Sequence, residues 1–171
     1  YFFLILIMYL LIYIFVYSIS LLPWRLLYFI SDIIALLLQH VIKYRVAIVQ
    51  QNLAIAFPQK TVKERQKIAN EFYQQFTDSF IETFKLISIS DKNFDKRFTS
   101  NVEVLNKLHA TGQSVQIMAG HFFNWEFANW GVGKYSNYPF IAVYMPLSNP
   151  YFNKIILKLR MRFGSIMIPA T

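Results

Sequence analysis

The longest unbroken pattern in the chain is its first. Residues 1–22, YFFLILIMYLLIYIFVYSISLL, hold no charged side chain. A helix of about 20 apolar residues can cross a bilayer, and the run has neither the basic start nor the small-residue cleavage site of a signal peptide. It is expected to be a transmembrane anchor. Leu21-Leu22-Pro23-Trp24-Arg25 interrupts it. Proline suits the first turn of a new helix, and Trp with Arg suits a membrane interface. Residues 26–42 are apolar again but carry Asp32 and Gln39. A second span and a helix lying in the interface both fit this stretch. The cost of a lone Asp at a bilayer centre, about 2.5–3.5 kcal/mol, favours the interface.

Polar positions become frequent after that. Residues 44–57, YRVAIVQQNLAIAF, read as an amphipathic helix that Pro58 stops. Thr61-Val62-Lys63-Glu64 has the form of a capping box, in which a hydroxyl caps the third amide and a glutamate reaches back. The helix that follows carries Ile68, Phe72, Phe76, Phe80 and Phe84 at four-residue spacing, which predicts a buried aromatic stripe, with lipid as another possible contact. Residues 88–114 are more polar and read as a connector with a short helix, closed by a turn at Ala110-Thr111-Gly112-Gln113. Three short apolar runs follow: 114–119 (SVQIMA), 140–144 (FIAVY) and 165–168 (SIMI). Each predicts a strand. Between the last two, Asn149-Pro150 starts a helix through about Phe163, which Gly164 ends. Strand, helix, strand, helix, strand predicts an α/β layer of parallel strands with right-handed crossovers. The expected organisation is a membrane anchor over 1–22, a membrane-associated helical region over 23–87, and an α/β layer over 88–171. The chain opens on Tyr1 rather than Met and stops directly after an apolar run, so it is expected to be a piece of a longer protein.

Composition sharpens this outline in two ways. The chain of 171 residues is 56% hydrophobic and contains no cysteine, which removes disulfide and thiolate chemistry from these residues. Its net charge is +8, unevenly placed. Arg25, Lys43 and Arg45 follow the uncharged span, which puts that side in the cytoplasm by the positive-inside rule. After Glu126 come Lys134, Lys154, Lys158, Arg160 and Arg162 and no acid at all. The second half therefore faces something negative. Nucleic acid fits poorly, because the chain is membrane-anchored and shows no nucleic-acid-binding motif.

The candidate chemistry lies in Gly120-His121-Phe122-Phe123-Asn124-Trp125-Glu126. Five residues of ideal helix turn about 500°, which would point His121 and Glu126 well apart. They meet only if His121 lies in a loop at the end of a strand and Glu126 in the first turn of the next helix, a turn that Gly120 would permit. Sites in open α/β sheets form at such strand ends. A histidine oriented by a carboxylate can act as a general base; the same pair can equally be a local, purely structural ion pair. With no Ser or Cys in the stretch, the simplest nucleophile is a substrate hydroxyl. No metal site is expected, since the ligand count and spacing fall short. Lys154, Lys158 and Arg162 share one helical face by four-residue spacing, with Arg160 off that face. The two lysines read most simply as a solvated face, while paired arginines suit phosphate or carboxylate.

GHFFNWE resembles the H-x4-D/E motif of the lysophospholipid and glycerol-phosphate acyltransferase superfamily. More narrowly it is similar to the H-x-x-N-W-E form of the bacterial lipid A biosynthesis (lauroyl/myristoyl) acyltransferases. Further pieces agree in order: Tyr44-Arg45 with Asn52-Leu53 and Ala56-Phe57-Pro58, then Phe72-Tyr73 and Glu82, then Tyr144-x-Pro146-Leu147-x-Asn149-Pro150, and Arg160-x-Arg162-Phe163-Gly164. Together they cover nearly all of residues 20–170. The chain departs from the pattern at Phe123, where glycine is expected.

The resemblance implies a bacterial inner-membrane enzyme whose catalytic part faces the cytoplasm. It would transfer a fatty acyl chain from an acyl carrier protein thioester to a hydroxyl of an anionic glycolipid, a lipid A precursor, without a cofactor. By that carry-over His121 is the base, Glu126 orients it, Asn124 and Trp125 complete the substrate-binding motif, and Arg160 and Arg162 contact phosphate. Residues 88–171 would then be the first part of a catalytic domain. A different phosphoglycolipid or lysolipid acceptor, and a non-catalytic protein that binds anionic membranes, are the alternative readings.

Overall fold

The computed structural model describes residues 2–120 and 124–170. Ten elements follow one another: α1 (Phe2–Leu21), α2 (Trp24–Leu36), α3 (Val46–Ala56), α4 (Val62–Lys85), α5 (Asp91–Asp95), α6 (Glu103–Ala110), α7 (Trp125–Tyr135), β1 (Ile141–Tyr144), α8 (Pro150–Arg160) and β2 (Ile166–Pro169). The chain forms two compact units, Leu22–Glu82 and the combination of Tyr1–Leu21 with Thr83–Thr171.

In the unit Leu22–Glu82, Pro23 starts α2 as expected, its carbonyl accepting from Leu26 and Leu27. The helix continues through a π turn over Leu37–Val41. Together Trp24–Val41 are long and apolar enough to cross a membrane. The side chains α2 and its continuation bury are Leu27, Ser31, Ala35 and Gln39, one per turn. Across from them α4 buries Ala69, Tyr73 and Thr77. Ser31 donates to Thr77 at 3.0 Å, Gln39 to Asn70 at 2.6 Å, Gln74 to Asp32 at 2.8 Å and Tyr28 to Glu82 at 2.7 Å. Small side chains let two backbones approach, and paired polar ones hold them, the packing used where large apolar groups gain nothing by being inside. Asp32 therefore has a donor on α4, which lowers the cost that made a span over this segment look unfavourable.

The aromatic stripe of α4 is where the structure overturns the pattern. Phe72 and Phe80 are 40% and 48% exposed, and Phe76 stacks between them and against Tyr44. The buried stripe is the neighbouring one, a single residue along. Hydrophobicity marks the buried face only where water covers the other, and this unit displays Phe29, Ile33, Val41, Ile42 and Ile55 outward as well. Helix α3 forms and stops before Pro58 but buries no side chain. The capping box forms as expected: Glu64 accepts from the Thr61 amide at 2.7 Å, and the Thr61 hydroxyl accepts from the Glu64 amide. The Thr61 amide and hydroxyl, both donating to that carboxylate, hold the Glu64 carboxyl below its usual range. Between α2 and α3, Lys43 and Arg45 both take left-handed backbone (φ 54° and 52°), and the Tyr73 hydroxyl holds the carbonyl of Tyr44 between them at 2.5 Å.

The second unit has an ordinary core. Phe94, Phe127 and Trp130 stack together, and Leu86, Ile89, Ile155 and Leu159 are buried with them. Helix α1 packs on α8 and buries Val16 and Ser20. The Ser20 carbonyl at its end accepts from Lys85 and from Ser88, both at 2.7 Å. Lys134 and Tyr135 of α7 donate to Asp95 of α5, and those bonds hold its carboxyl below the usual range.

Strands β1 and β2 pair in parallel, Ile141 opposite Ile166 through Tyr144 opposite Pro169. Asn149 caps α8 by accepting from the amides of Tyr151 and Phe152, and Gly164 takes the left-handed turn (φ 84°) before β2. The expected strand over 114–119 does not form: the segment makes no ladder, and Val115, Ile117 and Met118 are exposed. Its composition is β-capable, but a ladder also needs a bonded neighbour, and neither described strand pairs with it. The described architecture is thus mostly helical with a two-stranded parallel sheet, rather than a three-stranded layer.

Candidate functional site

Helix α7 begins where the charge pattern singles out its first turn. The Asn124 side chain caps it, accepting from the Phe127 amide at 3.2 Å. Glu126, the last acid in the chain, sits in that turn with only 4% of its surface exposed. Such a buried carboxylate needs donors, and four hydrogen bonds supply them. Arg160 Nε lies 3.0 Å from each carboxylate oxygen, Arg160 Nη2 2.5 Å from Oε1, and the indole Nε1 of Trp125 3.0 Å from the same oxygen. The helix N-terminus adds favourable positive potential. Arg160 is itself largely buried, and its guanidinium lies over the Tyr144 ring at 5.8 Å.

Tyr144 is the last residue of β1, so the Glu126–Arg160 pair stands at the carboxyl end of a parallel strand, where open α/β sheets place their sites. Three elements converge there. Side chains of α7 hold the backbone of α8: Trp130 Nε1 donates to the Leu159 carbonyl at 2.8 Å, and Asn129 donates to that of Arg160 at 2.9 Å. These bonds fix the end of α8 and with it the start of the Arg160 side chain. The arrangement is a rigid carboxylate at a helix start whose charge Arg160 balances, with lone pairs left to accept from a neighbouring donor. Among the described residues no group of three His, Asp or Glu side chains converges to hold a metal.

His121 and Phe123 lie outside the described residues. Of the other expected site residues, Glu126, Trp125, Asn124 and Arg160 come together. Arg162 does not. Two residues along a helix are about 200° apart, and Arg162 leaves on the far side of α8, over the Trp130 ring at 4.8 Å with Nη1 donating to the Leu86 carbonyl at 3.3 Å. The Glu126–Arg160 pairing itself was not read from the sequence. Two signals pointed to it: Arg160 is off the face shared by the other three cations, and Glu126 has no acidic competitor downstream for a basic partner.

The family model for "Bacterial lipid A biosynthesis acyltransferase" matches residues 2–171. The "Lipid A biosynthesis palmitoleoyltransferase" of Escherichia coli (strain K12) is 26% identical over 148 residues, which are 86% of this chain and 48% of that protein. The "Lipid A biosynthesis acyltransferase" of Shigella flexneri is similar to the same degree over the same shares. The chain thus spans about half the length of the curated relatives it matches. No solved structure matches it.

Proposed function

Since the chain belongs to the bacterial lipid A biosynthesis acyltransferase family, we propose that its protein moves a fatty acyl chain from an acyl carrier protein thioester to a hydroxyl of a lipid A precursor. The single observation that carries the reading is the buried, arginine-held Glu126 in the first turn of α7, five residues after His121 and at the end of β1. In this mechanism His121 takes the proton of the acceptor hydroxyl as its oxygen attacks the thioester carbonyl. The tetrahedral intermediate then expels the carrier thiolate, and His121 returns the proton to that sulfur. Glu126 holds the imidazole in one orientation and stabilises its cationic form. Arg160 balances the charge of Glu126 and fixes its carboxylate in place, a role that fits its contacts better than direct binding of substrate phosphate. Arg162, outside this cluster, remains suited to a phosphate.

The reading also places the protein in the bacterial inner membrane, with Trp24–Val41 as one candidate span and the site on the cytoplasmic side. It takes residues 88–171 as the first part of an α/β catalytic domain, with β1, α8 and β2 as one crossover unit of its sheet. His121→Ala in the whole protein is expected to lower acyl transfer by on the order of 10²–10⁴-fold, measured with acyl carrier protein donor and purified acceptor. An unchanged rate would leave anionic-membrane binding without catalysis as the better reading.

A further inference from the structure

On the face of α8 turned away from Glu126 and Arg160 lies a groove of about 600 Å³, within the range of small-molecule sites, about 300–1,000 Å³. Its apolar lining is Ile87, Leu157 and Met161 with Tyr13 of the uncharged helix α1, and the core residues Leu86, Trp130 and Ile155 lie directly beneath. Lys154, Lys158 and Arg162 line it as well. Lys154 and Lys158 stand one turn apart on α8, Arg162 follows in the turn after its end, and all three are exposed. Among the described residues no ion pair engages any of them. Like charges at four-residue spacing destabilise a helix, and no acid follows Glu126 to offset them. The dipole of α8 favours cations in its last turn but does not account for Lys154. The cations are also arranged against aromatic faces: Lys154 Nζ lies 4.7 Å from the Tyr9 ring centre, and Arg162 is held over Trp130.

From this arrangement we propose a lipid site separate from the acyl-transfer centre. It holds an anionic glycerophospholipid of the surrounding membrane, the phosphate among Lys154, Lys158 and Arg162 and one acyl chain along Tyr13, Ile87 and Leu157, above the buried Trp130. Charge complementarity selects the headgroup. The apolar lining and the adjoining apolar α1, which exposes Leu10, Leu11 and Ile14, select a hydrocarbon-bearing ligand over an acidic protein. A bound lipid of this kind would set α8, and therefore Arg160, at a fixed height against the membrane surface.

Trp130 makes the site readable. The full-length protein in neutral detergent is titrated with phosphatidylglycerol carrying brominated acyl chains, and separately with brominated phosphatidylcholine, while tryptophan fluorescence is followed. Phosphatidylglycerol is expected to quench saturably at a concentration at least about tenfold lower than phosphatidylcholine, with Trp130→Phe removing the saturable part. Each lysine lost should weaken the phosphatidylglycerol effect roughly fivefold. Lys154→Gln/Lys158→Gln should therefore erase the preference, and Lys154→Arg/Lys158→Arg should retain it. If the double glutamine variant does not fold, Lys158→Gln alone carries the same test at about fivefold. Equal quenching by the two lipids, or an unchanged preference in the glutamine variants, overturns the proposal. So does saturable binding of acyl carrier protein that the glutamine variants lose while lipid quenching persists.

Discussion

The two units solve the packing of helices in opposite ways. In Leu22–Glu82 the buried seam interleaves Leu27, Tyr73 and Ile81 with small and polar side chains, Ser31 against Thr77 and Ala35 and Ala69 nearby, while Phe29, Ile33, Ile55, Phe72 and Phe80 point outward. In the other unit Trp130, Phe94 and Phe127 fill the interior, and the charged pair that enters it, Glu126 with Arg160, is bonded to itself. The first arrangement adds close approach of the helices and side-chain hydrogen bonds to a smaller apolar burial. The second has the dense, aromatic core that burial from water favours. Only the second offers the rigid setting in which a carboxylate can be held to a few tenths of an ångström, and the candidate site is built there.

Substitutions can test that contrast. Glu126→Ala leaves the guanidinium of Arg160 buried without its counter-charge, and is expected to cost about 3–5 kcal/mol and to abolish most acyl transfer, read by thermal unfolding in detergent and by product formation. Trp130→Ala opens the aromatic core and removes the bond to Leu159, for about 3–5 kcal/mol. The seam of the other unit should respond to bulk instead: Ser31→Leu is expected to cost about 1–3 kcal/mol by forcing α2 and α4 apart, while Phe72→Ala, a far larger loss of apolar surface, should stay within about 0.5 kcal/mol in detergent. A reversed order of those two would refute the inside-out description of this unit.

The smallest effect concerns Asp78, whose Oδ1 is buried without a partner. Burial pushes its carboxyl above the usual range, with Glu82 and Asp32 adding like charge. A raised folded-state pKa contributes stability at low pH that is lost as pH rises through that value. Asp78→Asn should therefore raise the unfolding midpoint at pH 7, by an amount that shrinks as pH is lowered.

Much of the local structure was legible because its causes are local. The Thr61–Glu64 box, the Asn149-Pro150 start and the glycines at 112 and 164 act through bonds and torsions within a few residues, and each forms as read. The buried face of α4 was not legible, because its phenylalanines satisfy the same periodicity whether they face a core or an apolar surround. The strand expected over 114–119 failed for a related reason: its residues permit a strand, and pairing is the property of a neighbour. At the site, the motif around Glu126 and its place in the first turn of α7 could be read directly. That Arg160 grips it while Arg162 leaves for the opposite face required the fold.

The amino-acid sequence by itself determined where helices begin and end, the excess of positive charge after Glu126, and a motif characteristic enough to place the chain in its family. Tertiary structure alone decided which faces are buried, which strand finds a partner, and which of two nearby arginines joins the carboxylate. The division is physical: caps, turns and charge counts depend on residues close in the chain, whereas burial and ion pairing depend on what the chain brings back from tens of residues away, as Glu126 and Arg160 show across 34 positions.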